Sequence, residues 1–253
     1  MAMKYLGETI DIHTGGEDNL FPHHECEVAQ SEGATGKQFA RYWLHAKFLM
    51  VNGEKMSKSK GNFYTLKELL KKGYSTRAIR YIFLSAQYRT GMNFTEEGLK
   101  QAEETVSGLL DFVEKIRHVK AKSEYNDRLH VEVLKVRDFF EKYMDDDLNT
   151  PQALASIFDF VREVNKAMDS GEASQKNLEE VYEQMMDFDR VLGILKEDRK
   201  EKLPAELMDL IMKREEYRRS KNFAAADKVR KELLDKGVLV EDSAEGPKWK
   251  RIK

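Results

Sequence analysis

Lys55-Met56-Ser57-Lys58-Ser59, set between Gly53 and Gly61, is the stretch from which the rest of the chain can be placed. Upstream, Tyr42 to Val51 is aromatic and apolar enough for a buried strand, and Asn52-Gly53 supplies a tight hairpin turn. Downstream, Thr65 opens a helical stretch, and Ser75 to Tyr88 opens another. A polar loop leaving a buried strand, with glycine at both ends, holds two lysines three residues apart. Both can reach a triphosphate and release it, and such a loop can meet charge that grows on departing pyrophosphate. Lysine and serine alone would also describe a solvated hairpin tip. The complete string, lying after a strand and before a helix, favours the phosphate reading.

Towards the N-terminus, Thr9 to Ile12 alternates polar and apolar residues as a short strand and exits through His13-Thr14-Gly15-Gly16. Gly15, Gly16 and Asp18 suit a nucleotide edge, since glycine lets backbone approach a ligand and a carboxylate accepts from a ribose hydroxyl. A plain turn is the alternative. Asp18 can cap, Pro22 suits a first helical turn, and a helix is expected from Phe21 to about Ser31. His23 and Glu27 are four apart and share a helix face, which is metal-ligand spacing and equally the spacing of an exposed pair. His24 and Glu25 read as support or surface. Cys26 lies on a different face from Glu27 and reads as a small half-buried thiol.

Eleven of the 15 glycines fall in the first 110 residues, and three of the four prolines lie at or beyond Pro151. The first third therefore has the turns of a mixed α/β unit, and the middle reads as long helices. These are expected from Thr95 to about Lys120, at 128–144, at 151–169 with Thr150 as cap, and at 174–195, which makes an antiparallel bundle. Two more helices, at 205–220 and 223–236, precede short strands at Val238–Val240 and Lys248–Ile252. Residues 205–253 hold 13 basic and 10 acidic side chains, a local net of +3. Trp249, among Lys248, Lys250 and Arg251, offers a stacking surface beside phosphate-seeking charge, or else a packed aromatic on a terminal hairpin.

The whole chain of 253 residues balances 43 Lys and Arg against 45 Asp and Glu, which excludes a strongly basic nucleic-acid arm as a whole-chain property. No apolar run is long enough to span a membrane. A single cysteine excludes an internal disulfide, fits a reducing compartment, and excludes a zinc site built from several cysteines of these residues.

These stretches together resemble a family. Lys55–Ser59 is identical to the signature loop of class I aminoacyl-tRNA synthetases. Gly15-Gly16-Glu17-Asp18-Asn19-Leu20-Phe21-Pro22-His23-His24-Glu25-Cys26-Glu27, followed by Ala29-Gln30-Ser31-Glu32, resembles the zinc-helix segment of cysteinyl-tRNA synthetases. Met144-Asp145-Asp146-Asp147-Leu148-Asn149-Thr150-Pro151-Gln152-Ala153-Leu154-Ala155 looks like that family's bundle motif. Arg214-Glu215 through Phe223-Ala224-Ala225-Ala226-Asp227 is similar to its anticodon-end module. The resemblance implies an α/β catalytic remnant over residues 1–92, the second half of a Rossmann-like domain. An all-α bundle over 93–202 and a small α+β module over 203–253 would follow, making the chain mostly α.

It also implies ATP-dependent activation of cysteine and transfer to cysteine tRNA, by a cytoplasmic monomer. Lys55 and Lys58 would be catalytic, with Met56, Ser57 and Ser59 in support, and Gly15, Gly16 and Asp18 would hold the nucleoside of Mg2+-bound ATP. His23 and Glu27 would give half of a Zn2+ site that takes the substrate thiolate and so separates cysteine from serine.

The family's first nucleotide signature, His-x-Gly-His, has no counterpart here, nor do its two zinc-binding cysteines. The chain is therefore expected to be the C-terminal portion of a longer protein, with weak metal binding of its own and with Ile10, Ile12, Phe48 and Met50 uncovered. Two other readings follow from the same residues. One is a ligase of the same lineage that joins cysteine to a small amino sugar, which would lack a full anticodon-end module. The other is a non-catalytic tRNA-binding fragment.

Overall fold

The computed structural model describes residues 2–195, 204–220, 222–243 and 246–251. The chain divides into two compact units, Met1–Lys196 and Glu197–Lys253.

The first unit opens with a short helix, α1 (Ala2–Leu6), and strand β1 (Ile10–Gly16). A 3-10 turn (Glu17–Asn19) and a wide turn (Leu20–His24) lead into α2 (Glu25–Thr35). Strand β2 (Ala40–Ala46) then returns parallel to β1, with Ile12 opposite Tyr42 and Gly16 opposite Ala46. Helix α2 starts later than the sequence suggested because Phe21 is extended, at φ −136° and ψ 133°. The residue before a proline is pushed out of the helical region, so the kink falls at Phe21, and Pro22 stands first in the helical run that leads into α2, its carbonyl accepting from the Glu25 amide. Ile10 is buried with Phe39 and Ala40, contrary to the expectation that it is uncovered, whereas Ile12, two residues on along the same strand face, lies beyond that cover and is 61% exposed.

The apolar run from Tyr42 to Val51 is two strands, not one. It breaks at Lys47-Phe48, and β3 (Leu49–Val51) joins a second sheet. There β3 pairs antiparallel with β4 (Glu54–Lys55) and parallel with β5 (Met92–Phe94). The Asn52-Gly53 turn has both residues at positive φ, 51° and 83°, the geometry of a tight hairpin that this pair favours. Helices α3 (Leu66–Lys71) and α4 (Thr76–Leu84) follow, capped by Thr65 and Ser75. Val51, Leu69, Ile79, Ile82, Phe94 and Leu99 form the core beneath this sheet.

The bundle comprises α5 (Glu96–His118), α6 (Asp127–Asp145), α7 (Thr150–Asp169) and α8 (Gln175–Leu192). Phe112, Phe140, Ile157, Phe160, Val181 and Phe188 are among its buried residues. Thr95, Asn126 and Ser174 cap three of the helices. Asn149, not Thr150, caps α7 by accepting from the Gln152 amide at 3.4 Å. The Ser174 cap is reinforced by Asn177, which is fully buried and reaches across to the Asn126 carbonyl at 3.0 Å.

The second unit holds α9 (Ala205–Arg219), α10 (Phe223–Asp235) and an antiparallel hairpin of β6 (Val238–Ser243) and β7 (Gly246–Arg251). Ile211, Val229, Leu233, Val238 and Val240 form its core. Gly237 turns from helix to strand at φ 78°. Val240 pairs with Trp249 in the backbone register; the Trp249 side chain, proposed as a stacking surface, lies outside what is described. Among the described residues no helix is long and apolar enough to cross a membrane.

Candidate active site

Strand β1 ends in two glycines because the protein's own groups crowd them. A Cβ on Gly15 would lie 2.5 Å from Cε1 of His24, and one on Gly16 would lie 2.5 Å from Oδ1 of Asp18. The close approach expected of these glycines is thus made to side chains of the following turn. His24, read from the sequence as support or surface, is only 4% exposed. Its Nδ1 lies 2.8 Å from Nε2 of His45, so one of these nitrogens carries the shared hydrogen. Its ring meets those of His13 at 4.7 Å and Trp43 at 5.2 Å. Burial, and then the neighbouring His13 and His45 imidazoles, lower the His24 pKa and hold it neutral.

Glu27 projects from α2 into this cluster. Its Oε2 is buried, lies 2.9 Å from Nε2 of His13, and receives no hydrogen bond among the described residues. Its Oε1 lies 3.6 Å from Nε2 of His23. The structure therefore brings the expected His23–Glu27 pair together and adds His13 and His24, whose ligand atoms fall with a Glu27 oxygen inside 4.8 Å. An unbonded carboxylate oxygen facing two imidazoles is a donor set that fits a divalent ion of borderline softness such as Zn2+. His23 itself is more open, with a side chain 65% exposed. Cys26 is exposed and stands outside the cluster.

The Lys55–Ser59 loop is braced from within. Asn62, which the sequence reading passed over, accepts from the Ser57 amide at 2.8 Å and donates to the Lys55 carbonyl at 3.2 Å. The Ser57 and Ser59 hydroxyls are 2.7 Å apart. Met56 differs from its neighbours: its side chain enters an apolar cavity of about 270 Å³ with Leu49, Tyr64, Leu69 and Phe94. Met56 thus tethers the loop while the lysines stay outside. Lys55 rests over the Phe48 ring at 4.6 Å and lies 3.8 Å from Oδ2 of Asp18, and Lys58 rests over Phe63 at 5.4 Å. The signature loop and the Gly15–Asp18 loop therefore face one another, with Lys55 between them.

A cavity of about 500 Å³ lies at the C-terminal ends of β1 and β2, where open α/β sheets bind ligands. Thr14, Gly15, Gly16, Leu44 and Ala46 line it from the strands, and Tyr88 and Leu148 close it from the far side.

With this geometry in place, similarity to known proteins is specific. Residues 1–104 match the family described as tRNA synthetases class I (C) catalytic domain, and residues 139–196 match the DALR domain. Residues 200–249 match the Cysteinyl-tRNA ligase anticodon binding domain. In that order the three matches make the chain similar to cysteinyl-tRNA synthetases along most of its length. It is 45% identical over 253 residues to the cysteine–tRNA ligase of Solibacter usitatus, across 99% of this chain and 54% of that protein. It is 44% identical to that of Protochlamydia amoebophila, across 99% of this chain and 52% of the relative. The chain thus spans about half the length of the curated relatives it matches.

Solved structures show the fold at larger distance. A LeuRS of Agrobacterium radiobacter, in a ternary complex with tRNA and LeuAMS, aligns at a TM-score of 0.57 and 15% identity, over 73% of this chain and 26% of that one. A Mycobacterium tuberculosis methionyl-tRNA synthetase bound by methionyl-adenylate aligns at 0.52 and 19%, over 64% and 34%. The first part of the chain accordingly matches part of a class I catalytic domain, followed by helical modules, and the whole is mostly α.

Proposed function

We propose that the chain serves ATP-dependent ligation of cysteine to cysteine tRNA. The observation that carries this reading is the ordered match of catalytic, DALR and anticodon-binding modules, with the Lys55–Ser59 loop seated against the Gly15–Asp18 loop. In the reaction, the cysteine carboxylate attacks the α-phosphate of ATP and the α–β bond breaks, giving an adenylate and pyrophosphate. A hydroxyl of the terminal tRNA ribose then attacks the adenylate carbonyl, and AMP leaves.

Lys55 and Lys58 would leave their resting places over Phe48 and Phe63 and hold the phosphates, Mg2+ sharing that charge. Met56 keeps the loop anchored while Ser57 and Ser59 offer hydroxyls. Gly15, Gly16 and Asp18 would seat the nucleoside. His23 and Glu27, with His13 and His24 beside them, would hold a Zn2+ ion, which when bound supplies a soft Lewis-acid contact for the substrate thiolate. Residues 1–92 are assigned the chemistry, 93–202 the inner side of the tRNA, and 203–253 its anticodon end. We place the protein in a reducing compartment, the cytoplasm, on its single cysteine, and read it as a monomer from its resemblance alone.

The match of residues 200–249 weighs against the amino-sugar ligase reading, which has no use for an anticodon module. The test is charging of cysteine tRNA with labelled cysteine by the full-length protein that carries these residues, using serine as control. Cysteine-specific charging is expected; charging equal with serine, or none at saturating ATP, refutes the proposal.

A further inference from the structure

The junction between α6 and α7 carries backbone strain. Asp147 and Leu148 are consecutive non-glycine residues in the left-handed region, at φ 55° and 54°. Aspartate tolerates that conformation moderately, leucine poorly, so holding both there is costly. Strain of this kind persists where surrounding contacts over-determine it.

Part of that hold is local, since the Leu148 and Asn149 amides donate to the Met144 and Tyr143 carbonyls at 3.1 and 2.9 Å, and part leads away from the bundle. The Asp147 carboxylate accepts from the Tyr88 hydroxyl at 2.6 Å and pairs with Nε of Arg89 at 2.6 Å. The Asp147 carbonyl accepts from Nε2 of Gln87 at 2.9 Å. Three consecutive residues of the turn after α4 are thus gripped by one residue of the bundle. The Tyr88 carbonyl in turn accepts from the Lys47 amide at 2.8 Å, just past the end of β2. Lys47 then pairs with Glu17 at 2.7 Å, inside the Gly15–Asp18 loop. The same left-handed pair sends Leu148 into the cavity at the strand ends.

We infer that Asp147 is a positioning residue of the adenylate-forming site: through Tyr88 and Lys47 it fixes the exit of β2 and the Gly15–Asp18 loop opposite the signature lysines. This rests on the ligase reading above. It adds that the bundle junction, which reaches that loop through the intervening Tyr88 and Lys47, sets the site's geometry. Misplacing catalytic groups by a fraction of an ångström to an ångström costs on the order of 10- to 100-fold in rate.

The test uses two substitutions that both accept positive φ. Asp147→Gly removes the carboxylate and relieves the strain. Asp147→Asn keeps an oxygen for the Tyr88 hydroxyl and loses the Arg89 ion pair. Val164→Ala, in the buried bundle core, serves as a control that lowers stability without touching the turn. Two quantities are read in the whole protein: the rate of cysteine-dependent ATP–pyrophosphate exchange, and hydrogen exchange at the Lys47 amide. Asp147→Gly is expected to lower kcat about 10- to 100-fold with KM for ATP and cysteine within about threefold, and to unprotect Lys47. Asp147→Asn should recover most of both, and Val164→Ala should change neither. Unchanged Lys47 protection in Asp147→Gly, or a kcat loss matched by Val164→Ala, would overturn the inference. No exchange in the unsubstituted protein would instead overturn the ligase reading and the catalytic role of the turn with it. Lys47 protection would then still decide whether Asp147 holds the turn.

Discussion

The four-helix bundle and the β1–α2–β2 segment differ in what their buried positions hold. In the bundle they are mostly Leu, Ile, Val and Phe from all four helices, and the buried polar groups Ser174, Asn177 and Asp189 bond backbone amides at the two ends of α8. In the segment the apolar core is only Ile10, Phe39 and Ala40, with Val28 and Trp43 beside it, and the other buried group of size is a neutral histidine. Its outward faces show Ile12, Phe21 and Tyr42. The bundle is held by its own packing, whereas the segment is a frame that keeps polar groups close together. Stability and chemistry are thus concentrated in different stretches of one unit.

The sharpest break of this comparison is a pair of truncations. Phe188, 2% exposed with its ring 4.5 Å from Phe140, should cost about 3–5 kcal/mol as Phe188→Ala in denaturant unfolding. Ile12→Ser should stay within about 0.5 kcal/mol, because that side chain is already in water. Equal losses would erase the distinction. Next in size, Lys58→Ala should slow adenylate formation on the order of 10²- to 10³-fold while leaving the unfolding midpoint unchanged. A change in midpoint would mean that the lysine supports the fold, not the reaction.

Gly15→Ala comes next and acts on the segment alone. The new methyl must displace a buried imidazole, and such overpacking costs about 1–3 kcal/mol. Trp43 emission in a Trp249→Phe background would report it, and an unchanged transition would mean that His24 moves aside freely. The smallest effect concerns pH. Hydrogen bonding from Tyr88, then the Arg89 pair, lowers the Asp147 carboxyl pKa. A carboxyl depressed in the fold contributes above its unfolded value of about 4 and loses that contribution as pH falls through the folded one. The Asp147→Gly effect on exchange rate should therefore be flat from about pH 5 to 8. A rise or fall across that range would place a different group at the junction.

Much of this arrangement is legible in the residues. The bundle helices stand out because apolar residues recur at helical spacing and Thr95 opens the first with a cap, although the cap of α7 is Asn149 and not the Thr150 expected from the sequence. The signature loop is legible because Asn-Gly fixes the hairpin before it. The division of Tyr42–Val51 into two strands is not, since both halves are equally apolar and only their pairing partners differ. The histidine cluster was half visible. His23 and Glu27 share a helix spacing, but His13 and His45 join them through strand pairing between distant residues. Nor does any local rule connect Asp147 to Tyr88, 59 positions away.

Cysteine-dependent ATP–pyrophosphate exchange, compared with serine and with Lys58→Ala, tests the central claim most directly. The account expects exchange with cysteine and not serine, lowered by Lys58→Ala on the order of 10²- to 10³-fold at saturating ATP. Exchange indifferent to the amino acid, or a Lys58→Ala enzyme with a normal rate and only a raised KM for ATP, would contradict it.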